Sequence, residues 1–342
     1  MGFPIPFRNQ FKTPHPHPAC EAPNGSSYFN THLTGTAAYY PRDGARAHFL
    51  NGLWWLLGGW SEGASHPWFP DLSTNEVWST PDGVTWTLEL AHDPAPPAAG
   101  PGARWGPRHN YGSCIFGGYI WIFGSDINAP DSQVWRSNLP GAGGVWEQVA
   151  AVSPWHGRNG VIAGAHDGRM HVCGGQKSTT PFESLAGHWS TIDGVSWIQH
   201  PDMPFIRSFT DQAVSACGCL IISGGTDGMR TDPDRNAKND TWAWKDGVWR
   251  QQSFDAPWPA RLWNGLMYYD DKLWIGPGRM NNDLDSDDLW YSEDLGKTWR
   301  EFPAPWPPTH AVGIQSTEAY GIFAATGFGA MAKNVYRVTR VP

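Results

Sequence analysis

One pattern recurs six times along the 342 residues of the chain. A short apolar strand ends in glycine, a strand built around a tryptophan follows, and a turn leads into a further tryptophan strand. The first element reads Leu-Trp-Trp-Leu-Leu-Gly-Gly at 53–59 and returns at 119–125, 169–175, 219–225, 272–278 and 320–327. The glycines that close it, Gly58, Gly124, Gly174, Gly224, Gly276 and Gly327, stand 66, 50, 50, 52 and 51 residues apart. A unit of roughly fifty residues cannot bury its own faces, so such units are stable only when each packs on its neighbours.

The units read as strands. The second element carries Trp78, Trp135, Trp189, Trp242, Trp290 and Tyr336, and the third begins at Trp86, Trp146, Trp197, Trp249 and Trp299. Asp82-Gly83, Asp193-Gly194 and Asp246-Gly247 lie between them. Such pairs make hairpin turns, because glycine accepts the positive φ that tight turns demand. Together with an inner strand before each glycine element, the repeats predict an all-β fold. It is a six-bladed β-propeller forming a single domain over 27–342, preceded by a proline-rich arm over 1–26. The sixth unit has no tryptophan strand after Val338. A blade of three strands would leave an open edge, so the N-terminal segment 27–34 is expected to close the ring, with Phe29 near the usual tryptophan position.

Composition narrows the partners. Charged residues are 16% of the chain against 22 tryptophans and 40 glycines, which suits packed sheets joined by tight turns. The net charge is −8 with no basic run, so nucleic acid is not an expected partner. No apolar stretch approaches the roughly 18 residues of a membrane span, so no membrane insertion is expected. Residues 1–20 lack a basic start followed by an apolar core, and Pro6 stands where a myristoylation motif needs Ser or Thr. The expected setting is the cytoplasm or an assembled particle such as a virion. The five cysteines, Cys20, Cys114, Cys173, Cys217 and Cys219, are odd in number and mostly on apolar strand positions, which favours buried free thiols. Cys217-Gly218-Cys219 lacks zinc-ribbon spacing, and neither a metal nor a cofactor is expected.

In the order of its glycine-ended, aromatic and tryptophan strands, the chain resembles the kelch-repeat family of six-bladed propellers over 27–342. The double glycine is present at Gly58-Gly59, Gly174-Gly175 and Gly224-Gly225 and departs from the family at Gly124-Ser125, Gly276-Pro277 and Gly327-Phe328. The turn at 292–299, Ser-Glu-Asp-Leu-Gly-Lys-Thr-Trp, is similar to the Asp-box of sialidase-like propellers, and 79–86 and 190–197 are close variants. That resemblance implies a turn whose aspartate accepts backbone hydrogen bonds while its tryptophan plugs between strands.

A second repeat precedes each innermost strand. It comprises Tyr39/Arg42, Trp105/Arg108, Trp155/Arg158, Phe205/Arg207 and Trp258/Arg261, with Trp306 and His310 in the sixth copy. In a propeller these linkers converge on one face, around the mouth of the central channel. Arginine forks there suit carboxylates or phosphates, and the aromatics suit sugar rings. The same arginines can instead pair with internal acids and hold the blades together. The long loop 59–74 adds Trp60, His66 and Trp68 to that face, and His109, His156 and His310 could approach one another. The acidic run Asp283, Asp285, Asp287 and Asp288 lacks the mid-loop glycine and closing glutamate of a calcium loop. No nucleophile elbow, phosphate loop or His-Glu-x-x-His occurs.

Three functions remain open. The first is a non-enzymatic recognition module for an anionic or carbohydrate ligand, for instance a virion or tail protein reading a host-surface glycan. The second is an intracellular kelch-type scaffold for an acidic protein segment. The third is an epimerase or mutarotase acting on an acidic sugar. The N-terminal arm is expected to dock on a partner subunit.

Overall fold

Each repeat folds as one four-stranded antiparallel sheet, and the chain is a six-bladed β-propeller. The computed structural model describes residues 27–341 apart from 63, 125–131, 156, 178–182, 229–235 and 330–331. The proline-rich arm lies outside the described residues. Blade 1 is formed by Arg46–Leu50, Leu53–Leu57, Val77–Thr80 and Thr87–Leu90, from the channel outward. Blades 2 to 5 repeat that order, with inner strands Gly112–Phe116, Ile162–His166, Val214–Ala216 and Leu266–Tyr269. No helix among the described residues is long and apolar enough to cross a membrane.

The second strand of each blade is largely apolar because both its faces are covered by neighbouring blades. Alternate side chains point to opposite faces of a sheet. Trp54 therefore stacks on Phe323 of blade 6 at 4.2 Å, while Trp55 joins the cluster around Trp105 and Tyr111 of blade 2.

Blade 6 contains Gly313–Thr317, Gly321–Ala325 and Val335–Arg340, and its outer strand is the N-terminal Tyr28–Thr34. Tyr28 pairs with Arg340 and His32 with Tyr336, and the Val341 N–H donates to the Ser27 carbonyl at 2.7 Å. Phe29 does not take the tryptophan position. Tyr336 pairs with His32 as Trp78 pairs with Leu88, which sets Asn30 level with Trp86. Phe29 falls one residue out of phase and is 57% exposed. Tyr28 is the inward aromatic instead. Its ring meets Trp274 edge-on at 5.0 Å, and its hydroxyl donates to Asp270 Oδ2 at 2.6 Å.

The Asp-Gly turns behave as their chemistry implies. Asp82 Oδ1 accepts the N–H groups of Val84 and Thr85, each at 2.8 Å, and Asp193 does the same for Val195 and Ser196. Trp86 Nε1 donates to the Gly83 carbonyl at 3.1 Å. Gly83 has φ 79°, and a Cβ there would come within 2.7 Å of Leu33, so the turn rests directly on blade 6. The Thr85 N–H holds the Asp82 carboxyl below the usual range, against the opposing effect of burial. Asp82→Ala is expected to lower stability by about 1 kcal/mol at neutral pH. The wild-type advantage should fade in denaturant melts as pH falls below about 4, because the unfolded chain then binds the proton first. Retained stability with lost ligand binding would contradict this placement.

Cys114, Cys173 and Cys219 are buried free thiols, but Cys217 is disulfide-bonded. The expectation of free thiols therefore fails at Cys217, which sits at the hairpin tip between two strands rather than inside one.

Candidate functional site at the channel mouth

Two residues after each repeated arginine, and at Ala311 in the sixth copy, the backbone turns through the left-handed region. Gly44, Asn110, Gly160, Phe209, Trp263 and Ala311 have φ of 59°, 54°, 58°, 55°, 54° and 50°. Each N–H donates to the carbonyl of its counterpart in the preceding blade. Asn110 donates to Gly44 at 3.2 Å, Gly160 to Asn110 at 2.9 Å and Phe209 to Gly160 at 3.2 Å. Trp263 donates to Phe209 at 2.6 Å, Ala311 to Trp263 at 2.9 Å and Gly44 to Ala311 at 2.8 Å. The six bonds close a ring around the axis and separate the mouth from a chamber beneath it. A non-glycine residue in this conformation costs on the order of 1–3 kcal/mol, which the surrounding structure must offset. Here a blade-to-blade hydrogen bond fixes each one.

The repeated arginines do not line the mouth. Arg42, Arg108, Arg158, Arg207 and Arg261 are each 3% exposed or less. Each guanidinium turns back along its own blade and donates from Nη1 to the carbonyl of the repeated glycine. The acceptors are Gly58 at 3.4 Å, Gly124 at 2.5 Å, Gly174 at 2.6 Å, Gly224 at 2.5 Å and Gly276 at 3.0 Å. The two repeats seen in the sequence are thus halves of one contact. Three arginines also grip the acid two residues before the strand tryptophan. Arg42 meets Glu76 at 2.5 Å, Arg207 meets Asp240 at 2.6 Å and Arg261 meets Asp288 at 2.5 Å. The indoles of Trp78, Trp242 and Trp290 donate to those carboxylates. In blade 2 the acid gives way to Gln133, which accepts from Trp135 Nε1 at 2.7 Å. In blade 3 it gives way to Gly187, and Arg158 lies 5.0 Å over the Trp189 ring.

The linker aromatics are likewise interior. Tyr39, Trp105, Trp155 and Trp258 are fully buried and Trp306 nearly so. The first four meet Trp86, Trp146, Trp197 and Trp299 edge-on at 4.9–5.8 Å. Trp68 is 3% exposed beneath Arg42. The expected electropositive ring is corrected on physical grounds. A fixed glycine carbonyl lies within reach of every guanidinium, and in blades 1, 4 and 5 a carboxylate does too, so the charge is spent inside the blade. Of the expected contacts, Trp60 and His310 belong to the mouth.

Around the mouth runs a belt of rings. Phe209 meets Trp263 at 5.6 Å, Trp263 stacks on His310 at 5.2 Å, and His310 meets Phe328 at 4.7 Å. Trp60 of blade 1 lies 6.1 Å from His109 of the linker into blade 2, and its other side faces the seam between blades 6 and 1. A cleft of about 200 Å³ opens at that seam between Tyr40, Asp43, Trp60, Glu62 and Phe328. Trp60 is held rigidly, because its backbone bridges both Asp43 and Ser73. Asp43 Oδ1 is buried and accepts no hydrogen bond among the described residues. Burial pushes the Asp43 carboxyl above the usual range, against the pull of His109, His310 and Arg279. Arg279 is bound by Asp285 at 2.6 Å, and His310 Nδ1 meets the same carboxylate at 2.8 Å. With Asp288 held by Arg261, the acidic run has spent its central carboxylates on internal partners and does not offer a calcium cage. His156 lies outside the described residues.

Asp43, Trp263, Phe328 and Arg279 were not expected at the site. Aligning the six copies one and two residues beyond the arginine would have shown Asp43, His109 and His310 in one register and Phe209 and Trp263 in the next. The chain matches no model of a known protein family, and no curated protein matches it either.

Beneath the backbone ring, His48, Ser113, Gln212, Ser215, Tyr268 and Gln315 line a second cavity of about 200 Å³. His48 Nε2 lies 2.6 Å from Ser113 Oγ, and Gln315 Nε2 lies 3.4 Å from its Nδ1. Burial, aided by Arg46, holds the imidazole down at about 3. A histidine so depressed resists protonation in the fold but not in the unfolded chain. Its stabilising effect is complete above about pH 6.5 and is lost as pH falls toward 3, at up to about 1.4 kcal/mol per pH unit. His48→Gln should flatten that slope in melts between pH 6.5 and 4. An unchanged slope would contradict the assignment.

Proposed function

We propose that the protein is a kelch-type recognition module, with Asp-box-like turns, that binds a neutral carbohydrate at the seam of blades 6 and 1 on the channel mouth. The carrying observation is the cleft between Trp60 and Phe328. Partly exposed ring faces flank it, and the exposed Glu62 side chain at its rim offers carboxylate oxygens to hydroxyl donors. Sugar rings present apolar C–H faces to aromatic planes and hydroxyl donors to carboxylates. A carboxylate or phosphate ligand finds less support, since the repeated arginines are committed internally and the chain carries a net charge of −8. Recognition of a surface glycan by a virion or tail protein fits this chemistry.

The test is a glycan array probed with the wild type and with Trp60→Ala. The reading expects a set of neutral glycans whose signal disappears in the variant. An array on which nothing binds, or on which both proteins bind alike, would overturn it. One observation favours a second reading, an acid–base enzyme such as an epimerase. It is the Asp43 carboxyl, raised above its usual range by burial against the pull of His109 and His310, whose Oδ1 accepts no hydrogen bond among the described residues. Turnover of a bound sugar that stops in Asp43→Asn would establish that reading, and binding without turnover would reject it.

A further inference from the structure

Blade 3 carries three histidines that no role at the mouth absorbs. His171 lies in the second strand Arg169–Cys173, His188 opens the third strand His188–Thr191, and His200 follows the fourth strand Trp197–Gln199. Cys173 pairs with His188 and His171 with Ser190, so His171 and His188 are diagonal neighbours on one sheet face. Ser190 pairs with Ile198, which carries His200 to the same face beside His188. That face meets blade 4, where the Trp244 ring lies 5.1, 5.1 and 5.2 Å from the three imidazoles.

We propose that His171, His188 and His200 bind one transition-metal ion of the kind that prefers imidazole, zinc or copper, at the seam between blades 3 and 4. One ring nitrogen from each lies within 4.8 Å of the others. His171 Nδ1 is 2.9 Å from His188 Nε2, close to the spacing of two ligands on one ion. His188 is fully buried, and its Nε2 faces the His171 Nδ1 directly, so two ring nitrogens meet where a hydrogen bond between them takes up only one proton. The opposite nitrogen of His171 faces the His166 carbonyl at 3.3 Å, and His200 Nε2 meets Ser190 Oγ at 2.8 Å. Outer bonds of this type orient imidazoles toward a metal.

The donor set selects the class of ion. Three nitrogen ligands and no carboxylate suit zinc or copper and reject calcium and magnesium, which seek oxygen. Arg169 donates to Ser190 Oγ at 2.9 Å, the hydroxyl that His200 Nε2 also meets, which fixes that outer contact. Three protein ligands leave a fourth position open, on the side where His200 is only partly buried.

The experiment uses the full chain without an affinity tag, stripped with a chelator and titrated with Zn(II) by calorimetry and with Co(II) by visible absorption. One ion per chain is expected, with a Co(II) spectrum of tetrahedral, nitrogen-rich coordination. His200→Gln should weaken binding by at least about tenfold, while the metal-free protein melts as before. His310→Gln at the mouth should bind like the wild type. No saturable binding by the wild type, or equal binding by His200→Gln, overturns the site. Should His200→Gln fail to fold, the wild-type Co(II) spectrum decides alone, and an octahedral, oxygen-type spectrum overturns the proposal.

Discussion

A chain that begins at Gly35 should fail to form a stable monomer, whereas one that begins at Ala19, and so keeps all five cysteines, should melt like the parent. The segment removed supplies the whole outer strand of blade 6, six register pairs against Val335–Arg340. Its side chains also join both neighbouring seams. Tyr28 covers Trp274 and Phe302 of blade 5, and Leu33 packs in the cluster that contains Trp54 and Trp86 of blade 1. Tyr28 and Leu33 are partly buried, so losing them costs up to the roughly 1.5–3 kcal/mol each that full burial is worth. The lost strand pairing adds to that in a fold whose total stability is about 5–15 kcal/mol. The exposed edge of Val335–Arg340 also becomes a template for another chain. Size-exclusion chromatography should find oligomer or aggregate, and a monomer with parental melting would contradict strand closure.

The second large effect is expected at Arg261. Its side chain is fully buried and donates to Pro259 and Gly276 carbonyls, to Ser286 Oγ and to both oxygens of Asp288. Burial alone would raise the Asp288 carboxyl, and the Arg261 guanidinium draws it below the usual range instead. Arg261→Met strands that carboxylate in the interior, which should cost about 3–5 kcal/mol in a denaturant melt. Adding Asp288→Leu should recover much of the loss, because replacing both partners of a buried pair with apolar groups is often nearly neutral. A single variant as stable as the parent, or a double variant no better than the single, would show that the pair does not hold blade 5 together.

The blade count, the strand boundaries and the N-terminal closure were legible because they rest on local signals. Glycine-ended apolar runs, Asp-Gly turns and a missing sixth tryptophan strand each act within a few residues. Register was less legible, since Phe29 and Tyr28 differ by one position and a one-residue offset exchanges the two faces of a strand. The fate of the arginines was not legible from the linker alone. It depends on Glu76, Asp240 and Asp288, which lie 34, 33 and 27 residues downstream and become partners only when the blade closes. The blade 3 histidines were hidden for the same reason. They sit on two successive strands and just past a third, with no metal-binding spacing, and only the sheet register assembles them.

The most direct test compares Trp60→Ala with Arg207→Met, each titrated with one glycan selected on the array and each melted in parallel. The account predicts that Trp60→Ala keeps the parental melting temperature and loses affinity. It predicts that Arg207→Met melts far lower but binds, while folded, as the parent does. Affinity should also hold from low to high salt, because ring stacking is screened far less than an exposed anion site. The reverse pattern, with affinity lost in Arg207→Met or at high salt and retained in Trp60→Ala, would contradict it.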